Sequence, residues 1–168
     1  MTAFVRPLSA ADAAAFRTLR LAALLEAPAA FGSSYEEEAA RPLSNFADRL
    51  SAPEPNLTFG VFVDHTLCGI AGFRQETGLK TRHIGVLWGI YVAPAQRGTG
   101  LAKTLVETVI AHARRHVVML HADVGADNHA ARRLYEHLGF RCYGVQPKAL
   151  LVDGRFIDEA LLALDFSA

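Results

Sequence analysis

Three observations predict an α/β fold with a mixed, mostly antiparallel central sheet of about seven strands flanked by about four helices. Apolar runs of strand character lie at 57–73 and 84–92, a helix-period segment at 100–115 separates two strands, and the chain closes on an Asp-Gly hairpin. Taken in order, Phe4 to Arg6 read as a short strand, interrupted by Pro7. Ser9 then offers an N-cap with Asp12 three residues on, so a helix starts there. Phe16, Leu19, Ala23 and Leu24 recur at the spacing of a buried helical face until Ala27-Pro28 and Phe31-Gly32 interrupt it. Residues 35–50 read as a second helical piece, closed by Pro53-Glu54-Pro55-Asn56.

From Leu57 the period changes. Leu57 to Val63 and Thr66 to Phe73 are two apolar strands around Asp64-His65, an antiparallel hairpin. Ile84 to Val92 form a third long apolar strand, ended by Pro94, which cannot continue a central ladder. Leu101, Leu105, Val106, Val109, Ile110 and Ala113 line one face of a helix from Gly100 to about Arg115. The strand Val117 to Val124 follows, and together these make a strand, helix, strand crossover. A further helix spans Asn128 to Leu138, with Asp127 or Asn128 at its N-cap and Gly139 just beyond its end. Asp153-Gly154 joins two last strands, Ala149–Val152 and Phe156–Leu164. No linker, repeat or low-complexity segment divides the chain, so residues 1–168 are expected to form one domain.

The 17 basic and 17 acidic side chains cancel to a formal net charge of zero, and 51% of residues are hydrophobic. A chain of this length buries roughly 70% of the surface its unfolded form exposes, enough to fold without staples. Zero net charge provides no global basic field, which argues against a dedicated nucleic-acid binder. No run approaches ~18 apolar residues, and Met1-Thr2-Ala3-Phe4-Val5-Arg6 lacks the order of a signal peptide, so no membrane partner and a cytoplasmic location are expected. Cys68 and Cys142 match no zinc spacing and read as core residues in a reducing compartment. His112-Ala113-Arg114-Arg115-His116 lacks the glutamate and third ligand of a zinc site and reads as a solvated helix end. No metal is called for. Glu36-Glu37-Glu38 read as a solvated helix face.

The chemistry is concentrated in Ile90-Tyr91-Val92-Ala93-Pro94-Ala95-Gln96-Arg97-Gly98-Thr99-Gly100-Leu101-Ala102-Lys103. A strand ends, a glycine-rich turn follows, and a helix begins at once. Glycines there admit a ligand close to the backbone, and free amides at a helix start favour an anionic oxygen. No Gly-Lys-Ser/Thr ending makes it a Walker loop, and Lys103 stands where a dinucleotide fingerprint needs a third glycine.

Arg97-x-x-Gly100-x-Ala102 after Tyr91-Val92-x-Pro94 resembles the coenzyme A signature of the GNAT acetyltransferase superfamily. Downstream, Asn128-x-x-Ala131-x-x-Leu134-Tyr135-Glu136-x-Leu138-Gly139-Phe140 is similar to that superfamily's other helix motif. The resemblance spans Val61 to about Leu164. It implies a GNAT-like sheet in which the strand ending at Val92 splays from the strand 117–124 and acetyl-CoA enters the gap. Backbone groups of Ile90 and Val92 would pair with the pantetheine arm, and an N–H near Tyr91 or Val92 would stabilise the oxyanion. Amides of Gly98, Thr99, Gly100, Leu101, Ala102 and Lys103 would hold the pyrophosphate, with Arg97 at the entrance. Asn128 would hold the cofactor arm while capping its helix, and Tyr135 would protonate the departing thiolate. The implied activity is transfer of acetyl to a primary amine, in a small molecule or peptide, by direct attack in a ternary complex.

One departure concerns the base. Many relatives carry a glutamate just before Ile90-Tyr91-Val92, but Trp88 and Gly89 stand there. Asp123, on the later strand, is the leading candidate, and alternation places Met119 and His121 on its face. A coenzyme A binding module without turnover is the alternative reading that this departure supports. A homodimer is compatible with a free sheet edge or apolar helix face, neither of which leaves a readable signature.

Overall fold

The computed structural model describes residues 2–168; Met1, where the segment read for a signal peptide begins, lies outside them. Seven strands form one sheet: β1 (Ala3–Pro7), β2 (Leu57–Val63), β3 (Thr66–Gln75), β4 (Ile84–Val92), β5 (Met119–Gly125), β6 (Arg141–Val152) and β7 (Arg155–Asp165). Their order is β1-β2-β3-β4-β5-β7-β6. Every neighbouring pair is antiparallel except β4 and β5, which are joined by the crossover helix α4 (Leu101–Ala113). The remaining helices are α1 (Ala13–Glu26), α2 (Tyr35–Ala39), α3 (Leu43–Leu50) and α5 (His129–His137). No described helix is long and apolar enough to cross a membrane.

Each face of the sheet has its own core. Leu105, Val106 and Val109 of α4 pack with Leu120, Leu162 and Tyr135 on one face. Phe16 of α1 and Phe46 of α3 pack with Ile70 and Tyr91 on the other. The α1 face shows the spacing read from sequence, with Phe16, Ala23 and Leu24 buried, but Arg20 is buried among them at 5% exposure. The entry to α1 passes through a short 3-10 turn, where the Ser9 N–H donates to Asp12 Oδ2 at 2.8 Å. Asp12 also accepts two hydrogen bonds from the Arg6 guanidinium, which hold its carboxyl down to about 2.

Several expectations are corrected. The helical piece at 35–50 is two helices, because Pro42 takes an extended conformation and sits at the N-cap of α3. Residues 141–148, expected as no element, belong to β6, whose ladder to β7 is interrupted at Tyr143 and again between Gln146 and Leu150. Glu38 is not solvated: it is 2% exposed, and its carboxylate is gripped by Arg49 at 2.9 Å through both oxygens. His112 is no solvated helix end either. It is buried between Phe59 and Phe73, and its Nε2 meets the Pro55 carbonyl at 2.7 Å. Cys68 is a core residue as expected, whereas Cys142 is exposed on β6.

The irregularity that matters lies in β4. Trp88 pairs with Gly72 and Tyr91 with Ile70, so three steps along β4 match two along β3, and the extra residue is a β-bulge. Gly89 within it has φ +65°, a conformation open to glycine at no steric cost. The bulge reverses the alternation, so Leu87 faces the α4 core while Tyr91 faces the α1 core. The indole of Trp88, the protein's one tryptophan, lies over Gly72 where any Cβ would strike its ring. Gly72→Ala is therefore expected to displace Trp88 and destabilise the fold by roughly 1–3 kcal/mol. Urea unfolding followed by tryptophan emission checks this, with a red-shifted folded spectrum as the accompanying sign.

Candidate active site

The parallel ladder between β4 and β5 covers Ile84, Gly85 and Val86 against Met119, Leu120 and His121, and then stops. Beyond it β5 continues in register with β7 as far as Gly125. The bulge at Gly89 follows three residues after the last parallel pair, and along this stretch the two strands part into a wedge. Backbone of β4 from Leu87 to Val92 borders that wedge with no ladder on its β5 side. Ile90 is half-buried, and the side chains of Tyr91 and Val92 are buried in the two cores. These residues therefore have main-chain groups, rather than side chains, to offer to a ligand.

At the end of the wedge, residues 94–96 make a 3-10 turn and Gly98-Thr99-Gly100 lead into α4. Gly98 and Gly100 have φ +75° and +84°, and a Cβ built on either meets nothing within 4 Å. This open cradle lies where α4 presents its free amides. Leu101 is buried and anchors the helix start, Ala102 is half-buried, and Lys103 is exposed beside Glu107. The Thr99 hydroxyl donates to the Gln96 carbonyl at 2.5 Å, bracing the turn.

Arg97, expected at the entrance, stands half-exposed directly before the cradle. Its guanidinium pairs with both carboxylate oxygens of Glu26, at 2.9 and 2.7 Å, and its Nε–H donates to the Val92 carbonyl at 3.1 Å. The end of α1 is thereby tied to the cradle. Hydrogen bonding from Arg97 holds the Glu26 carboxyl below its usual range, while burial and the nearby Glu26 push the Tyr91 phenol up.

On the α4 face, Asn128 caps α5, its Oδ1 accepting the Ala131 N–H at 3.2 Å. Tyr135 is 3% exposed and shares a core with Val92, Leu101 and Val124, its ring edge-on to Phe140. Complete burial drives its phenol far above the usual tyrosine range, so it holds its proton at any working pH. Asp123 lies across the sheet. Ala122 and Val124 point into the Tyr135 core, whereas Asp123 is exposed on the other face. Glu159 stands beside it, pushed up first by its own burial and then by the Asp123 charge. Tyr143 is pushed up in the same way, and its ring lies 5.5 Å from His121. Tyr143 and Glu26 were not among the residues singled out for chemistry, since the pairings that bring them in come from β6 and α1. Also on the α1 face, a cavity of about 470 Å³ separates the α1–α2 connection from the end of β6, lined by Leu24, Phe31, Tyr35, Glu37, Leu151 and Asp153.

The acetyltransferase (GNAT) family model matches residues 21–140. A curated relative, the L-methionine sulfoximine/L-methionine sulfone acetyltransferase of Salmonella typhimurium, is 35% identical over 99 residues. That alignment covers 57% of this chain and 57% of the relative, so the chain spans a little over half the length of the curated relative it matches. Among solved structures, the GNAT-family acetyltransferase of Streptococcus pneumoniae superposes with a TM-score of 0.84 at 23% identity, covering 96% of this chain and 98% of that one. The yncA protein of Salmonella typhimurium, solved with its cofactor acetyl-CoA, gives 0.82 at 23% identity, covering 99% and 95%. Both establish the likeness of fold.

Because the Asp123 charge is one cause of the raised Glu159 carboxyl, Asp123→Asn is expected to lower the Glu159 titration midpoint. Carbon-13 NMR of the side-chain carboxyls reads this directly, and an unmoved midpoint would break the pairing of the two carboxylates.

Proposed function

The chain belongs to the acetyltransferase (GNAT) family, and we propose that it transfers the acetyl group of acetyl-CoA to a primary amine by direct attack in a ternary complex, with residues 1–168 acting as one domain. The observation that carries this reading is the wedge itself: β4 and β5 part after Val86 and His121, and the open glycine cradle stands at the end of the bare β4 edge. An extended pantetheine arm suits such an edge, since its amides can pair with main-chain groups of Ile90 and Val92 as an added strand does. The Gly98–Lys103 amides suit the pyrophosphate, with the glycines leaving room for it. Arg97, held by Glu26, contributes by fixing the cradle against α1.

The amine nitrogen forms a bond to the thioester carbonyl carbon, the carbon–sulfur bond breaks, and the sulfur leaves as thiolate. An N–H near Tyr91 or Val92 is suited to the developing oxyanion. Tyr135 supplies a proton to the sulfur from the α4 face, a role that fits a phenol kept protonated by burial. Asp123, with Glu159 at its side, receives the proton that the amine must lose, from the opposite face. Acid and base thus approach the wedge from opposite sides of the sheet. Asn128 holds the arm at the start of α5. The acceptor is an amine of a small molecule or peptide. A second reading, a coenzyme A binding module without turnover, is favoured by one observation, the absence of a carboxylate at Trp88 and Gly89 on β4.

Calorimetric titration is expected to give acetyl-CoA binding on the order of micromolar. Gly100→Val should abolish it while the protein stays folded, its strain being about 1–3 kcal/mol. Binding retained by that variant would remove the cradle from the site. Tyr135→Phe is expected to keep acetyl-CoA affinity and lower kcat by roughly 10²-fold or more. Release of free coenzyme A with a broad amine panel is the readout. No release from the wild-type protein while acetyl-CoA still binds would select the second reading.

A further inference from the structure

Arg20 is a charged side chain placed where an apolar one is expected. It falls four residues after Phe16 and four before Leu24 on the buried stripe of α1, and it is 5% exposed. Neither its Nε nor its Nη1 has a hydrogen-bond partner, and both are shut off from solvent. The nearby buried carboxylate, Glu38, is already engaged through both oxygens by Arg49, with Arg41 at 3.9 Å. Three guanidinium groups, Arg20, Arg41 and Arg49, therefore share the influence of one buried carboxylate, and Arg20 draws only a longer-range attraction from it. Burying a guanidinium with unmet donors costs several kcal/mol. A buried group this costly calls for a compensating partner.

Its position says which ligand. Nη1 lies 3.4 Å from where a Cβ on Gly89 would stand, so the guanidinium is aimed at the bulge where β4 leaves β5. This is the α1 face of the wedge, the face of Asp123, and hence the side from which an acceptor approaches in the proposed reaction. The ring of Phe31 lies 4.9 Å from the guanidinium carbon and also lines the 470 Å³ cavity. One aromatic ring separates Arg20 from a space large enough for a small molecule.

Resting on the acetyltransferase reading, we propose that Arg20 binds the carboxylate of the acceptor and that the acceptor is a free α-amino acid. The planar fork of a guanidinium matches a carboxylate. In an α-amino acid the amine is two bonds from the carboxylate carbon, so a carboxylate held on Arg20 sets the amine beside the Gly89–Ile90 backbone. An ε-amine of lysine would sit too far from that point. The acceptor's side chain extends toward the cavity, and rotation of Phe31 opens the way between them. Arg20 is thus a specificity-determining residue that discriminates through charge.

The test measures acetylation of the standard L-amino acids, their carboxamides and the corresponding decarboxylated amines, with acetyl-CoA binding followed separately by calorimetry. Wild-type protein is expected to favour one or more acids over the matching amide by roughly 100-fold in kcat/KM, the scale of losing a buried charged partner. In Arg20→Gln that ratio should fall toward one through a raised KM for the acid, with acetyl-CoA affinity unchanged. Arg20→Lys should recover part of the ratio. Amides or simple amines accepted as well as acids by the wild-type protein would overturn the proposal without any variant. So would an Arg20→Gln variant that keeps the acid preference, or an amino-acid panel left wholly unacetylated while acetyl-CoA binds. If Arg20→Gln does not fold, the wild-type comparison still decides. Failure of acetyl-CoA to bind at all is a different result, and it would remove the acetyltransferase reading itself.

Discussion

The structure turns on a ladder that ends early. Parallel pairing of β4 with β5 lasts three residue pairs, and the extra residue in β4 follows three positions after the last of them, at Gly89. Had β4 kept its alternation, Tyr91 would face α4 rather than α1, and the two cores would exchange a large side chain. The bulge thus serves two ends. It opens main-chain groups in the middle of a sheet, where they are normally consumed, and it aims the following residues so that both helical layers are filled.

Keeping such a wedge open requires that the strands on each side be held by something else. On the β4 side the support is β3, through pairs that resume at Ile70 and Gly69 after the bulge. On the β5 side it is β7, paired without interruption from Met119 to Gly125. Glu26 and Arg97 then bind the end of α1 to the turn after β4, linking the helix on one face to the turn that leads to the helix on the other. Arg97 is half exposed, and an exposed pair by itself contributes little to stability. Its worth lies in fixing geometry, aided by the bond from Arg97 to the Val92 carbonyl.

Much of this was legible from residue order alone. The seven strands, the crossover, the two motif helices and the Asn128 cap all follow from apolar period, turn chemistry and capping preference. What stayed hidden has a common cause, that the deciding partner is remote in sequence. His112 looks like a surface residue until Pro55, Phe59 and Phe73 are brought to it. Glu38 reads as one of three solvated acids until Arg49 arrives from α3. Residues 141–148 carry no alternation because nearly all of them are exposed, so the pattern that reveals a half-buried strand is absent. Arg20 is the exception, since its place on the Phe16–Leu24 stripe was readable; its chemical type argued for the surface and its spacing for the core. The bulge had a signal too, an isolated glycine within a strand. Of the candidate site, the cradle and Tyr135 lie on local motifs, whereas Glu159 and Tyr143 depend on how β6 and β7 register against β5.

The interruptions in β6 have a consequence for the molecule outside its chemistry. This strand closes one edge of the sheet and exposes Tyr143, Val145 and Leu151, apolar side chains that would invite another chain to pair alongside. Pro147 lacks an amide hydrogen, Lys148 takes φ +52°, and the ladder breaks twice within twelve residues. No long flat row of donors and acceptors is left for a neighbour to copy. The sticky edge is therefore a poor template, which protects the chain from runaway strand addition during synthesis and at high concentration.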